Sequence, residues 1–96
     1  MRFFAAFLLA CSCRASDVAS WYVPRVAGMV CASYDYPIGS TLRVTDAHNG
    51  FWVVVKVIER GPNLRLHRRV DLCPAAFMAL NGLALGLAEV KIERVK

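Results

Sequence analysis

The sequence lacks the features that would place it in several large classes. It has no apolar run long enough to cross a bilayer as a helix: its opening apolar stretch, Phe3 to Ala10, falls well short of the ~20 residues such a span needs. It has no Cys-x-x-Cys, and its two histidines, His48 and His67, lie far in sequence from the cysteines. No metal-ligand spacing results, so neither a metal nor a cofactor is expected. Internal repeats, low-complexity tracts and a nucleophile-elbow motif are also missing. Charged residues make up only 20% of the chain against 57% hydrophobic ones, which excludes disorder. The net charge of +5 favours anionic partners, but no nucleic-acid recognition motif accompanies it, and no nucleic-acid partner is expected. At 96 residues there is room for one domain at most.

What is present begins with an export signal. Met1-Arg2 supplies a positive end, and Phe3 to Ala10 an apolar core of the length a signal peptide uses. Residues 1–15 are therefore read as signal, and 16–96 as the mature domain. Two processing readings stay open. Leu8-Leu9-Ala10-Cys11 has the form of a lipobox, with Cys11 lipidated and anchoring the protein to a membrane. Cys13-Arg14-Ala15 offers ordinary cleavage before Ser16. The bland alternative is a buried N-terminal strand or helix. Either processing route puts the protein in the periplasm or cell envelope, and the lipidated one allows an outer-membrane lipoprotein. A mature domain of roughly 80 residues has a marginal core. In an oxidising compartment its two cysteines, Cys31 and Cys73, form an even pair that invites a disulfide.

The mature part reads as short strands with one helix. Ala19 to Val23 is aromatic and β-prone, and Pro24 ends it. Gly28 to Ala32 is a second short run. Thr41 to Thr45 alternates with period two, Asn49-Gly50 marks a hairpin, and Phe51 to Ile58 returns. That return strand is apolar on both faces, which predicts a barrel wall covered from outside. Val70 to Leu72 is an apolar strand end. Pro74 opens a helix that Asn81-Gly82 ends, with Cys73 at the N-cap. Leu87 to Val95 closes the chain as a strand, with Ala88, Val90, Ile92 and Arg94 on one face. Short strands with one small helix argue for a compact β-barrel, and the pattern alone leaves its type open.

Five local signatures in order narrow it. Ala19-Ser20-Trp21-Tyr22, Pro37-Ile38-Gly39-Ser40-Thr41, Asn49-Gly50 before Val53-Val54-Val55, Glu59-Arg60-Gly61-Pro62, and Val70-Asp71-Leu72-Cys73 before a helix cover about four-fifths of the chain. Together they resemble the rare lipoprotein A (RlpA)-like double-psi β-barrel family. The resemblance implies a mainly-β fold, a six-stranded double-psi barrel with one short helix. It also implies a role at peptidoglycan glycan strands, either as a lytic transglycosylase that cuts glycan without water or as a non-catalytic wall-binding module. A monomer is expected. The family's Glu-bearing segment has no counterpart here, and Ser33 takes the place of its His.

The candidate site follows. Asp71 is the first choice as general acid, because glycan cleavage needs a proton donor at the glycosidic oxygen. The bland reading is a carboxylate that caps the following helix. Glu59 is a second candidate carboxylate, against an ion pair with Arg60. Ser33 is a weak candidate for bonding substrate or Asp71. A triad of Ser33, a histidine and Asp71 is formally possible. Trp21, Tyr22, Tyr34 and Tyr36 are candidates for stacking on sugar rings; Tyr34 and Tyr36, which flank a turn, suit this best, whereas Trp21 is expected in the core. Arg60 and Arg69 are candidate substrate contacts. Arg69 belongs to a basic run with Arg65, His67 and Arg68 whose commonest fate is a solvated loop. In the resemblance, Cys31 and Cys73 flank groove segments that meet, so the two thiols are expected to approach each other.

Overall fold

A computed structural model describes residues 17–62, 67–80 and 86–95. The expected signal segment, Cys11, the alternative start at Ser16, Arg65 and the helix stop at Asn81-Gly82 lie outside those residues. The elements run β1 (Asp17–Trp21), β2 (Val30–Ser33), β3 (Thr41–Asp46), β4 (Trp52–Glu59), β5 (Val70–Leu72), α1 (Pro74–Leu80) and β6 (Ala88–Val95). The strands close into a barrel in the order β1-β5-β2-β4-β3-β6. β1 with β5 and β2 with β4 are parallel pairs, and the other neighbours are antiparallel. The expected six-stranded barrel with a short helix is what forms.

The interior follows from period two. Val53, Val55 and Val57 are buried on β4, facing Leu42 and Val44 of β3 and Val70 and Leu72 of β5 in one core. β-branched side chains suit this pleated, enclosed surface. On β6, Ala88 and Val90 are buried and Ile92 half-buried, on the face the sequence indicates. The opposite face of β4 departs from expectation. Trp52 and Val54 are 55% and 40% exposed, so this wall is not covered from outside. Instead, the Arg43 guanidinium lies over the Trp52 ring, 4.8 Å from its centroid, and shields part of it.

The β3–β4 hairpin forms, but it is wider than a two-residue Asn49-Gly50 turn. The buried carboxylate of Asp46 accepts the amides of His48 and Asn49 at 2.8 and 3.0 Å, which rounds the loop out before Phe51. Asn49 then donates from Nδ2 to the Leu80 carbonyl at 2.8 Å. A carbonyl at the end of α1, which the helix itself leaves unpaired, is thereby satisfied. α1 presses Ala76, Phe77 and Leu80 against the barrel, with contacts to β1, β4 and β5. Pro74 starts it, and the Cys73 carbonyl accepts the Phe77 amide at 3.0 Å.

Candidate active site

The strand register builds the site. Glu59 stands opposite Ala32, Ala32 opposite Asp71, and Asp71 opposite Ser20. These positions form one row across β4, β2, β5 and β1. Neighbouring strands lie ~4.8 Å apart, so the two acids start from backbone positions roughly 10 Å from each other. Val70 and Leu72 are buried in the core, so Asp71 between them faces outward, half-buried. Glu59 joins this face through an irregularity. The β2–β4 register shifts between Cys31 and Ala32, which sets Glu59 rather than Ile58 against Ala32. Such a bulge re-aims a side chain in this way. Between the acids the residues are small. A Cβ built on Gly61 would lie 3.4 Å from the Ala32 Cβ, so the Arg60-Gly61-Pro62 turn folds tightly beside the row.

Asp71 is held by its neighbour. Ser20, only 2% exposed, donates its hydroxyl to Asp71 Oδ1. That bond ties the carboxylate to the β1 strand of the row. Just past the end of β1, the Tyr22 hydroxyl is buried and meets no acceptor at hydrogen-bond geometry. Burial pushes its pKa up to about 12, helped by the carboxylate charges of Glu59 and, more weakly, Asp71.

The remaining candidates separate. Arg60 does not pair with Glu59: its Nη1 donates to the carbonyls of Ser33 at 3.0 Å and Tyr36 at 2.7 Å, fixing the loop after β2. Arg69 makes a two-point contact with Asp35, at 3.1 and 2.8 Å, tying the start of β5 to the same loop. Tyr34 is 51% exposed near this edge, whereas Tyr36 packs partly against the core. Ser33 is 1% exposed, pairs in register with core residue Val70, and accepts the Asp35 amide at 3.1 Å. It belongs to the core-facing row and does not face Asp71. His48 contacts Glu89 at 2.8 Å, at the β3–β4 hairpin and the barrel end opposite Ser33, so it forms no triad with Ser33 and Asp71. Trp21 packs against the core as expected.

Cys31 and Cys73 are free thiols, both buried in the core cluster. Cys31 is the register partner of Leu72, and the Cys73 amide donates to the Val30 carbonyl at 3.0 Å, so they sit one step apart across β2 and β5. Burial, then the neighbouring Cys73 charge, pushes the Cys31 thiol up to about 12. Among the described residues no cluster of side chains could hold a metal ion. A cavity of about 490 Å³ between Gly39, Ser40, Thr41, Arg94 and Val95 opens beside β3 and β6 and includes neither acid.

Ser20 was not among the site candidates read from sequence, and Tyr22 was read only as an aromatic that could stack on a sugar ring. The signal for Ser20 was available: it precedes a core tryptophan in an alternating strand, which places it on the outer face.

Relatives and solved structures agree on the fold. The chain is 36% identical over 90 residues to the endolytic peptidoglycan transglycosylase RlpA of Neisseria meningitidis serogroup A, spanning 80% of this chain and 37% of that one. It is 30% identical over 92 residues to the protein of the same name in Campylobacter jejuni, spanning 82% and 33%. A crystal structure of a Clavibacter michiganensis expansin mutant in complex with cellohexaose superposes with a TM-score of 0.69 at 19% identity, over 84% of this chain and 50% of that one. The chain belongs to the RlpA-like double-psi β-barrels. Cerato-platanin 3 from M. perniciosa shares the barrel with a TM-score of 0.61 at 18% identity, over 75% of this chain and 63% of that one. No protein-family model matches the chain. This RlpA-like barrel spans little more than a third of the Neisseria relative's length.

Proposed function

We propose that this barrel acts on peptidoglycan glycan strands as a lytic transglycosylase, with Asp71 as its acid. The observation that carries the reading is the outward row Glu59–Ala32–Asp71–Ser20, which sets two carboxylates on one face with small residues between them. Asp71 gives its proton to the glycosidic oxygen as the bond from the anomeric carbon breaks. The sugar's own hydroxyl then attacks that carbon, closing an anhydro ring, and its proton returns to Asp71. Glu59 steadies the positive charge that develops on the sugar ring. Tyr34, exposed at the edge of this region, offers an aromatic face to a sugar. Arg60 and Arg69 hold the loop that carries Tyr34. The transglycosylase activity for which the relatives are named supports this reading, as does an expansin of the same fold bound to a glucan oligomer. The working site is the cell envelope, with the mature chain secreted or anchored through Cys11.

One observation favours a second reading. With Ser33 turned to the core and His48 at the hairpin end, neither completes a site with the two acids. A wall-binding module without turnover would keep the same groove. Incubating the protein with purified peptidoglycan separates the two. Soluble fragments with anhydro ends, detected by mass spectrometry, are the expected product. Retention of the protein on the sacculi with no such fragments would assign it to binding alone.

A further inference from the structure

Three neighbouring strands, β4, β3 and β6, turn a continuous set of side chains outward. Their register lines these up in rows: Trp52–Thr45–Lys91, then Val54–Arg43–Glu93, then Lys56–Thr41–Val95. Trp52 is more than half exposed, with the Arg43 guanidinium over one side of its ring. The acids of β6 on this face have basic partners: Glu93 lies 3.8 Å from Arg43, and Glu89 lies 2.8 Å from His48. Among the described residues, Lys56, Lys91 and Arg94 have no ion-pair partner, so the face carries unbalanced positive charge. At the Lys56–Thr41–Val95 end it runs into the cavity of about 490 Å³, which Thr41, Arg94 and Val95 line. Ser40 lines that cavity too, and its buried hydroxyl has no hydrogen-bond partner, the kind of donor a bound acceptor satisfies.

We propose that this face, from Trp52 to the Arg94 cavity, is a second binding site for wall glycan, away from the bond that is cut. Trp52 stacks on a sugar ring through the indole face that Arg43 leaves open. Lys91, Lys56 and Arg94 take the carboxylates of the peptide stems, which supply the charge this face lacks. A lipid surface suits it less well. Interfacial binding needs a continuous apolar face, whereas here Thr45, Arg43 and Glu93 interrupt Trp52 and Val54 across the strands. A sugar, with C–H faces and a hydroxyl rim, matches that mixture. Trp52 and Glu59 stand at opposite ends of β4, roughly 23 Å apart along the strand, so one glycan strand can engage both sites. Two contacts on one strand raise the avidity of each. The inference rests on the reading of this barrel as a peptidoglycan protein, and its test reads binding instead of turnover.

The test is pelleting of the full chain with purified sacculi on ice, for wild type, Trp52→Ala, Trp52→Phe, Lys91→Glu and Arg94→Glu. All four substitutions fall on exposed side chains, and unfolding midpoints check that the variants fold. Trp52→Ala should weaken retention about tenfold, as loss of an aromatic anchor does. Trp52→Phe keeps a ring and should recover most of it. Lys91→Glu and Arg94→Glu should each weaken retention severalfold, and added salt should lower wild type towards their level. Retention by Trp52→Ala and both charge reversals equal to wild type overturns the proposal, as does failure of wild type to pellet. A parallel arm uses vesicles of equal parts phosphatidylglycerol and phosphatidylcholine. Vesicle binding lost in Trp52→Ala while sacculus binding stays intact overturns it in favour of a lipid surface. So does a wild-type dimer that Trp52→Ala makes monomeric. If no anhydro-ended fragments form but the Trp52 and lysine effects hold, the lytic reading fails and this binding face stands. Fragments formed with retention indifferent to Trp52, Lys91 and Arg94 give the reverse.

Discussion

Ser20 and Asp71 are register partners on parallel strands, and the Ser20 hydroxyl donates to the Asp71 carboxylate. That one bond joins the fold to the proposed chemistry. It fixes the orientation of the acid on a strand whose other two residues, Val70 and Leu72, are locked in the core.

Replacing Ser20 by Ala removes that donor and leaves Asp71 without its neighbour's hydroxyl. Hydrogen bonds to charged groups contribute about 1.5–3 kcal/mol, and partial exposure of Asp71 puts the expected loss at the lower end. Denaturant unfolding should show a destabilisation of about 1.5 kcal/mol. Turnover of peptidoglycan should fall roughly tenfold as Asp71 loses its fixed orientation. Ser20→Thr keeps a hydroxyl at the same position and should recover most of both.

Ala32 lies between the two carboxylates, 3% exposed and tight against Gly61. Ala32→Leu inserts bulk where the neighbouring turn has no room. Overpacking of this kind costs about 1–3 kcal/mol. The larger side chain also stands in the row that the glycan would cross. The expected result is a lowered unfolding midpoint together with weaker pull-down on sacculi. Unchanged pull-down by a folded variant would move the glycan path away from this row.

The buried thiols make the fold sensitive to alkali. Below pH 9 Cys31 is protonated in both the folded and unfolded chains, and no pH dependence arises from it. Between pH 9 and about 12 the unfolded chain releases the proton while the fold retains it, so stability falls as pH rises through that window. Tyr22 adds a loss of the same sign between 10 and about 12. The slope approaches about 1.4 kcal/mol per pH unit for one fully shifted group. Unfolding midpoints measured in reductant from pH 8 upward should decline, and Cys31→Ala should flatten the early part of the decline. Oxidation is the second arm. A bond between Cys31 and Cys73 would close a loop of about 40 residues and stabilise by ~4 kcal/mol in the chain-entropy model. Thiol counting on oxidised protein is expected to find both thiols consumed and the alkaline decline from Cys31 gone; two remaining thiols would leave the capping and core roles alone.

Strand alternation made most of the fold legible. Val53, Val55 and Val57 announce an inner face, and Ala88 and Val90 announce another. Asp71 between two apolar residues announces an outward acid. The rest depended on contacts between distant segments. Nothing local at Glu59 signals the register shift that sets it opposite Ala32, because the bulge belongs to the pairing of β2 with β4. Ser33 was misplaced by alignment: counting along the chain put it at a functional position, but its pairing with Val70 turns it inward. Arg60 and Arg69 looked available for substrate because their partners, the Ser33 and Tyr36 carbonyls and Asp35, lie more than twenty residues away. The outer face of β4 was misjudged because Trp52 and Val54 are apolar without being covered.

The most direct test of the account compares wild type with Asp71→Asn on purified peptidoglycan. Asn is nearly isosteric and still accepts the Ser20 hydroxyl, but it has no acid proton to give. A circular dichroism spectrum and unfolding midpoint close to wild type would establish that the variant is folded. The account predicts anhydro-ended fragments from wild type and none above background from Asp71→Asn, with retention on sacculi preserved. Undiminished release by the folded variant would contradict it.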